Sequence, residues 1–75
     1  MVKGWIIEVT YRRGNRTDRY AVAIAEKEAA VSTLKRHIGM EATVSAREAL
    51  SEAQYYRLGL MPGKMLRLGL GAHGN

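Results

Sequence analysis

Two short stretches of this chain alternate with period two, and a glycine–asparagine pair lies between them. Trp5, Ile7, Val9 and Tyr11 fall on one side of the first stretch, with Ile6, Glu8 and Thr10 on the other. In the second, Tyr20, Val22 and Ile24 oppose Ala21 and Ala23. Alternation built from aromatic and β-branched residues predicts half-buried strands. Gly14-Asn15 suits a two-residue hairpin loop, because glycine at the first central position accepts positive φ. With that loop, Trp5 faces Ile24, Ile7 faces Val22 and Val9 faces Tyr20, apolar against apolar in each pair. A slip of one residue would send one strand's apolar set to the opposite face. The pattern therefore predicts a hairpin with one buried side.

Helical spacing follows. Val31, Leu34 and Ile38, with Ala30 beside them, form one apolar stripe on a helix predicted over 26–38. Glu26 and Glu28 lie in its first turn and Lys35, Arg36 and His37 in its last, as the helix dipole favours. Gly39 supplies the stop. Residues 40–50 admit two readings. Ala46, Ala49, Leu50 and Ala53 have helical spacing, and Ser45 with Glu48 would make a capping box for one helix over about 46–58. The preferred reading starts later, with Ser51 as cap, Gln54 completing the box and Leu50 packing on Tyr55 as a hydrophobic staple. That helix ends at Leu58, with Gly59 following it and Leu60 touching Tyr55. Residues 41–47 are then a third strand. Met61-Pro62-Gly63-Lys64 fits a type II turn, and 64–68 a short last strand.

The expected fold class is α+β: a small antiparallel sheet in the order ββαβα with a short C-terminal β tail, the first helix packed on one face. A right-handed return from the second strand brings the third beside the first, giving sheet order 2-1-3. One domain spans 1–68, and 69–75, rich in glycine, is expected to be a flexible tail. At 75 residues such a domain is near the size where one core is marginal. With no cysteine, it has neither disulfides nor thiolate metal ligands to help. Good packing or self-association remains.

Charge is concentrated. The net charge is +5, and Arg12, Arg13, Arg16 and Arg19 against Asp18 account for +3 of it within eight residues. In the register above Arg13 faces Arg16, and like charges directly opposite one another are unfavourable. Arginine's planar donor fork suits phosphate and carboxylate. Arg12, Arg13, Arg16 and Arg19 are thus the candidate anion- or nucleic-acid-binding residues; the competing use of such a tip is a solvated, charged end that keeps the protein soluble.

Two stretches carry a resemblance. Gly4-Trp5-Ile6-Ile7-Glu8-Val9-Thr10-Tyr11 and Leu50-Ser51-Glu52-Ala53 … Leu58-Gly59-Leu60-Met61-Pro62-Gly63 resemble a group of short uncharacterised bacterial proteins. In those, an N-terminal hairpin precedes a helix, a strand and an "LS-x-A…GL-x-PG" ending. The resemblance spans most of the chain, supports the later helix start and implies no activity. Gly59-Leu60-Met61-Pro62-Gly63 is also similar to a piece of small SH3-like barrel proteins of the ferrous-iron transport type, but the long strands that follow it there are not supplied here.

Other motifs point to no chemistry. Lys3-Gly4-Trp5 echoes the RNA-recognition signature, yet Ile6 and Ile7 replace its small and aromatic residues, and Trp5 and Tyr20 are expected in the core. Gly69, Gly71 and Gly74 match the dinucleotide fingerprint in spacing, without the helix whose N-terminus would receive a pyrophosphate. Asn15-Arg16-Thr17 spells a glycosylation sequon. His37 at a helix end reads as a dipole partner, His73 lies in the tail, and no Ser-His-acid, paired-carboxylate or metal-spaced set occurs. The start shows no signal-peptide pattern, and no apolar run approaches the roughly 20 residues of a membrane span.

The expectation is a cytoplasmic, non-enzymatic binding or protein-interaction module without cofactor or metal, and not at a membrane. Its partner would be an unidentified protein or a second copy in a homodimer, using the apolar C-terminal third and open sheet edges. A small nucleic-acid-binding protein using the arginine hairpin is the alternative.

Overall fold

The computed structural model describes residues 2–12, 16–39 and 41–70. Along the chain run β1 (Trp5–Tyr11), β2 (Thr17–Val22), α1 (Lys27–Ile38), β3 (Ala42–Ala49), α2 (Glu52–Arg57) and β4 (Met65–Leu70). The strands form one antiparallel sheet in the order β3-β1-β2-β4. The fold is α+β, and β3 returns beside β1 as the crossover argument expects. β4 extends the sheet on its far side by pairing with β2, a neighbour that turn and periodicity signals did not identify. It also runs through Gly69 and Leu70, beyond the Leu68 end expected from sequence. Residues 71–75 of the expected tail lie outside the described residues.

The hairpin register differs from the expected one. Trp5 pairs with Val22, Ile7 with Tyr20 and Val9 with Asp18, each shifted by two residues from the pairing implied by a Gly14-Asn15 loop. The physical reason is parity: side chains alternate with period two, so a shift of two keeps every residue on its face. Hydrophobic pattern alone therefore cannot choose between the registers. Among the described residues the last rung is the Tyr11 N–H donating to the Arg16 carbonyl at 2.8 Å, so Arg16 faces Tyr11 instead of Arg13. The Gly14-Asn15 turn and Arg13 lie outside the described residues.

One face of the sheet carries Ile7, Val9 and Val22, all buried, and α1 lays Ala30 and Leu34 across them. Trp5, Tyr20, Val44 and Met65 border this core, with Trp5 Nε1 donating to the Ala25 carbonyl at 2.9 Å. Each fully buried Ile, Val or Leu contributes roughly 1.5–3 kcal/mol. The backbone of β2 explains the glycine before Trp5. A Cβ at Gly4 would run into the Val22 carbonyl oxygen, so only glycine allows this approach.

The opposite face has a smaller core at one end: Ile6, Ala21, Ala23, Leu50 and Tyr55, with Leu58 and Leu60 against them. Here α2 is held by the expected local chemistry. The Gln54 N–H donates to Ser51 Oγ at 3.1 Å, and the Ser51 N–H to Gln54 Oε1 at 3.1 Å. At the other end Gly59 has φ 68°, the Gly59 N–H donates to the Tyr56 carbonyl at 3.1 Å and the Leu60 N–H to that of Tyr55 at 3.2 Å. That pair of bonds is the Schellman arrangement. The Lys64 N–H to Met61 carbonyl bond, 3.0 Å, closes the Pro62-Gly63 turn, with Gly63 at φ 82°. No helix among the described residues is long and apolar enough to cross a membrane.

Candidate anion and partner-binding surfaces

β2 and the hairpin end distribute the candidate arginines over different surroundings. Arg16 is opposite Tyr11, its guanidinium 5.7 Å from the centre of that ring. Its Nη2 is 3.7 Å from Asp18 Oδ2. Arg19 is opposite Glu8 and exposed, on the face away from α1. Arg12 is exposed and donates its backbone N–H to the Glu41 carbonyl at 3.2 Å, ahead of β3. Arg13 lies outside the described residues. Of the described arginines, Arg16 is drawn to a carboxylate on the α1 side, while Arg19 faces the other way.

Asp18 is the centre of the hairpin's electrostatics. It is the only aspartate of the chain and its side chain is 1 % exposed. Arg67 of β4 reaches it with two donors, Nε to Oδ2 at 3.3 Å and Nη2 to Oδ1 at 3.4 Å. A buried carboxylate needs such partners, and the two-point fork is the geometry arginine offers. The Asp18 hydrogen bonds and charge raise the Arg67 guanidinium further above its ordinary range. Partial burial pushes the neighbouring Tyr11 phenol above its usual value, with the Tyr20 hydroxyl adding to the effect. Sequence reasoning had placed Asp18 among four hairpin arginines and missed Arg67. The available signal was a lone acid on the buried parity of β2, which requires a cation from some other element.

The open part of the face away from α1 is polar around Thr10 and Glu8. Thr10 is flanked by Thr17 on β2 and Thr43 on β3, and the Thr10 and Thr17 hydroxyls are 3.5 Å apart. In the next row Glu8 stands between Arg19 and Ser45, and Arg47 Nε approaches Glu8 Oε1 at 3.9 Å. Towards β4, Leu66 and Leu68 are exposed, as are Tyr56 of α2 and Met61 of the turn. Lys3 lies over the Tyr55 and Tyr56 rings at 5.6 and 5.9 Å. With Trp5 packed on the α1 side, the Lys3-Gly4-Trp5 stretch presents no stacking aromatic there.

The sheet has two edges. Among the described residues no strand pairs with the outer side of β3 or of β4. Both are interrupted by a bulge, β3 at Arg47 and β4 at Leu68 beside Gly69, whose φ is 105°. Ahead of its bulge β3 reads Ala42-Thr43-Val44-Ser45-Ala46, free of charge, proline and glycine. Among the described residues no three His, Asp or Glu side chains are arranged to hold a metal ion. His37 is exposed at the end of α1. No family model, curated protein or solved structure matches the chain.

Proposed function

We propose that this chain is a non-enzymatic protein-interaction module that works by strand addition at an edge of its sheet, with self-association as its simplest form. The observation that supports this most is the uncharged run Ala42–Ala46 on the outer strand β3. Exposed edge strands offer a row of free backbone donors and acceptors, and proteins that do not use them guard them with charge, proline or bulges. β3 is guarded only at Arg47 and beyond. Strand addition draws affinity from main-chain hydrogen bonds and needs no deep pocket. The size of the chain favours it too, because a second copy extends a core that is small alone.

A second reading is favoured by the exposure of Arg12, Arg16 and Arg19 near the hairpin end of the sheet. Such cations suit a polyanion such as a nucleic-acid backbone, and binding would weaken steeply with salt through counterion release. One set of samples tests both. Molar mass by light scattering over a concentration series is expected to rise towards a dimer for the natural chain. It should stay monomeric for Thr43→Lys/Ser45→Lys, which adds edge charge on the solvent face. Oligonucleotide binding across a salt series, with Arg12→Ala/Arg19→Ala in parallel, addresses the second reading. A folded protein that stays monomeric and captures no added strand sinks the first. Salt-sensitive binding lost in the arginine variant would replace it with the second.

A further inference from the structure

We infer that the partner for the β3 edge is a second copy of β3, paired antiparallel about a two-fold axis through Val44. This rests on the interaction reading above and specifies its edge, occupant and register. The backbone sets the first condition. The Glu41 carbonyl accepts from the Arg12 N–H, so Glu41 turns its main-chain groups towards β1. In an antiparallel ladder the direction alternates residue by residue. Thr43 and Ser45 therefore also face β1, while Ala42, Val44 and Ala46 aim theirs outward. A Val44-centred pairing brings outward groups onto outward groups, Val44 on Val44 and Ala42 on Ala46, in hydrogen-bonded pairs.

Charge sets the second condition. The same register brings Glu41 of each copy opposite Arg47 of the other, twice across the axis. Arg47 is free to serve, since its side chain is 58 % exposed and its contact with Glu8 is long at 3.9 Å. A pairing centred on Thr43 puts Glu41 opposite Ser45, and one centred on Ser45 puts Arg47 opposite Thr43 and Glu48 opposite Ala42. Only the Val44 register neutralises both charges. A closed two-fold contact must be self-complementary in this way. It also keeps faces aligned: Val44 stays on the α1 side in both copies, and the Thr17-Thr10-Thr43 row continues across the junction. β4 offers no such match, because Arg67 lies within the strand and the Leu68 bulge breaks its outer side.

The test uses the absence of cysteine from the natural chain. In the proposed register Thr43 is directly opposite Ser45 as a non-hydrogen-bonded pair, with Cα atoms about 4.5 Å apart, within disulfide reach. Thr43 to Thr43 is diagonal at roughly 7–8 Å. Thr43→Cys and Ser45→Cys chains of different mass are mixed and oxidised, with Leu68→Cys as the β4 control. The expected result is a mixed disulfide several-fold above its statistical share, with little cross-linking of either variant alone. Equal cross-linking of Thr43→Cys with itself, or cross-linking of Leu68→Cys only, overturns the register or edge while leaving self-association standing. A natural chain monomeric at every concentration overturns both.

Discussion

The two faces of the sheet are built differently, and the difference locates the surface left over for binding. On one, the twelve-residue helix α1 covers Ile7, Val9 and Val22 with Ala30 and Leu34, all at or near zero exposure. On the other, the six-residue helix α2 seals only the end around Ile6, Leu50 and Tyr55. A short helix buries a short stripe, so the rest of that face, with Thr10, Thr43, Ser45 and Arg19, stays open. Stability and availability are thus separated: the α1 side holds the sheet together, and the α2 side and the edges remain for contact.

The most demanding test of that separation is a pair of truncations. Leu34→Ala is expected to cost about 3–5 kcal/mol, because Leu34 is fully buried in the core between α1 and the sheet. Leu50→Ala, in a connection at the margin of the smaller core, is expected to fall near the lower end, about 2–3 kcal/mol. Denaturant titration measures both, and equal costs would break the comparison.

The next test concerns the seam between hairpin and β4. Asp18→Asn keeps the shape but removes the charge that Arg67 and Arg16 share, and an expected loss of about 1–3 kcal/mol follows from weakening a buried, charge-assisted acceptor. Amide exchange should rise in β4 first, since Arg67 is the side chain that ties it to Asp18. Protection lost evenly across the sheet would show that the seam has no local role. The smallest effect belongs to the α2 cap. Ser51→Ala is expected to cost about 1 kcal/mol and to loosen 52–57 while leaving α1 protected, which exchange at single amides resolves. Loss of protection under α1 in that variant would mean the two faces act as one unit.

Several elements were readable because their causes are local. Both ends of α2 follow from residues within a few positions of one another: Ser51 with Gln54, Leu50 with Tyr55, and Gly59 with Leu60. The face of every residue in β1 and β2 follows from parity alone. The later helix start, with β3 before it, resolved an ambiguity that spacing left open.

The binding surfaces were less legible. Arg12, Arg13, Arg16 and Arg19 cluster along the chain, and the strand geometry that places Arg16 and Arg19 on opposite faces is not visible in that clustering. The place of β3 at an edge follows from the expected order 2-1-3, whereas the seat of β4, which covers β2 and forms the other edge, does not.

What the sequence by itself determined was therefore the local and periodic part: two strands with one apolar face, the stripe of α1, the two caps of α2 and the Pro62-Gly63 turn. Only the tertiary structure decided the two-residue register, the seat of β4 beside β2 and the Arg67–Asp18 clamp across 49 positions. Local signals act through backbone geometry over three or four residues, which one chain segment specifies alone. Register and strand order depend on which distant groups can be buried and neutralised together, and a shift that preserves parity leaves no trace in the pattern of either strand.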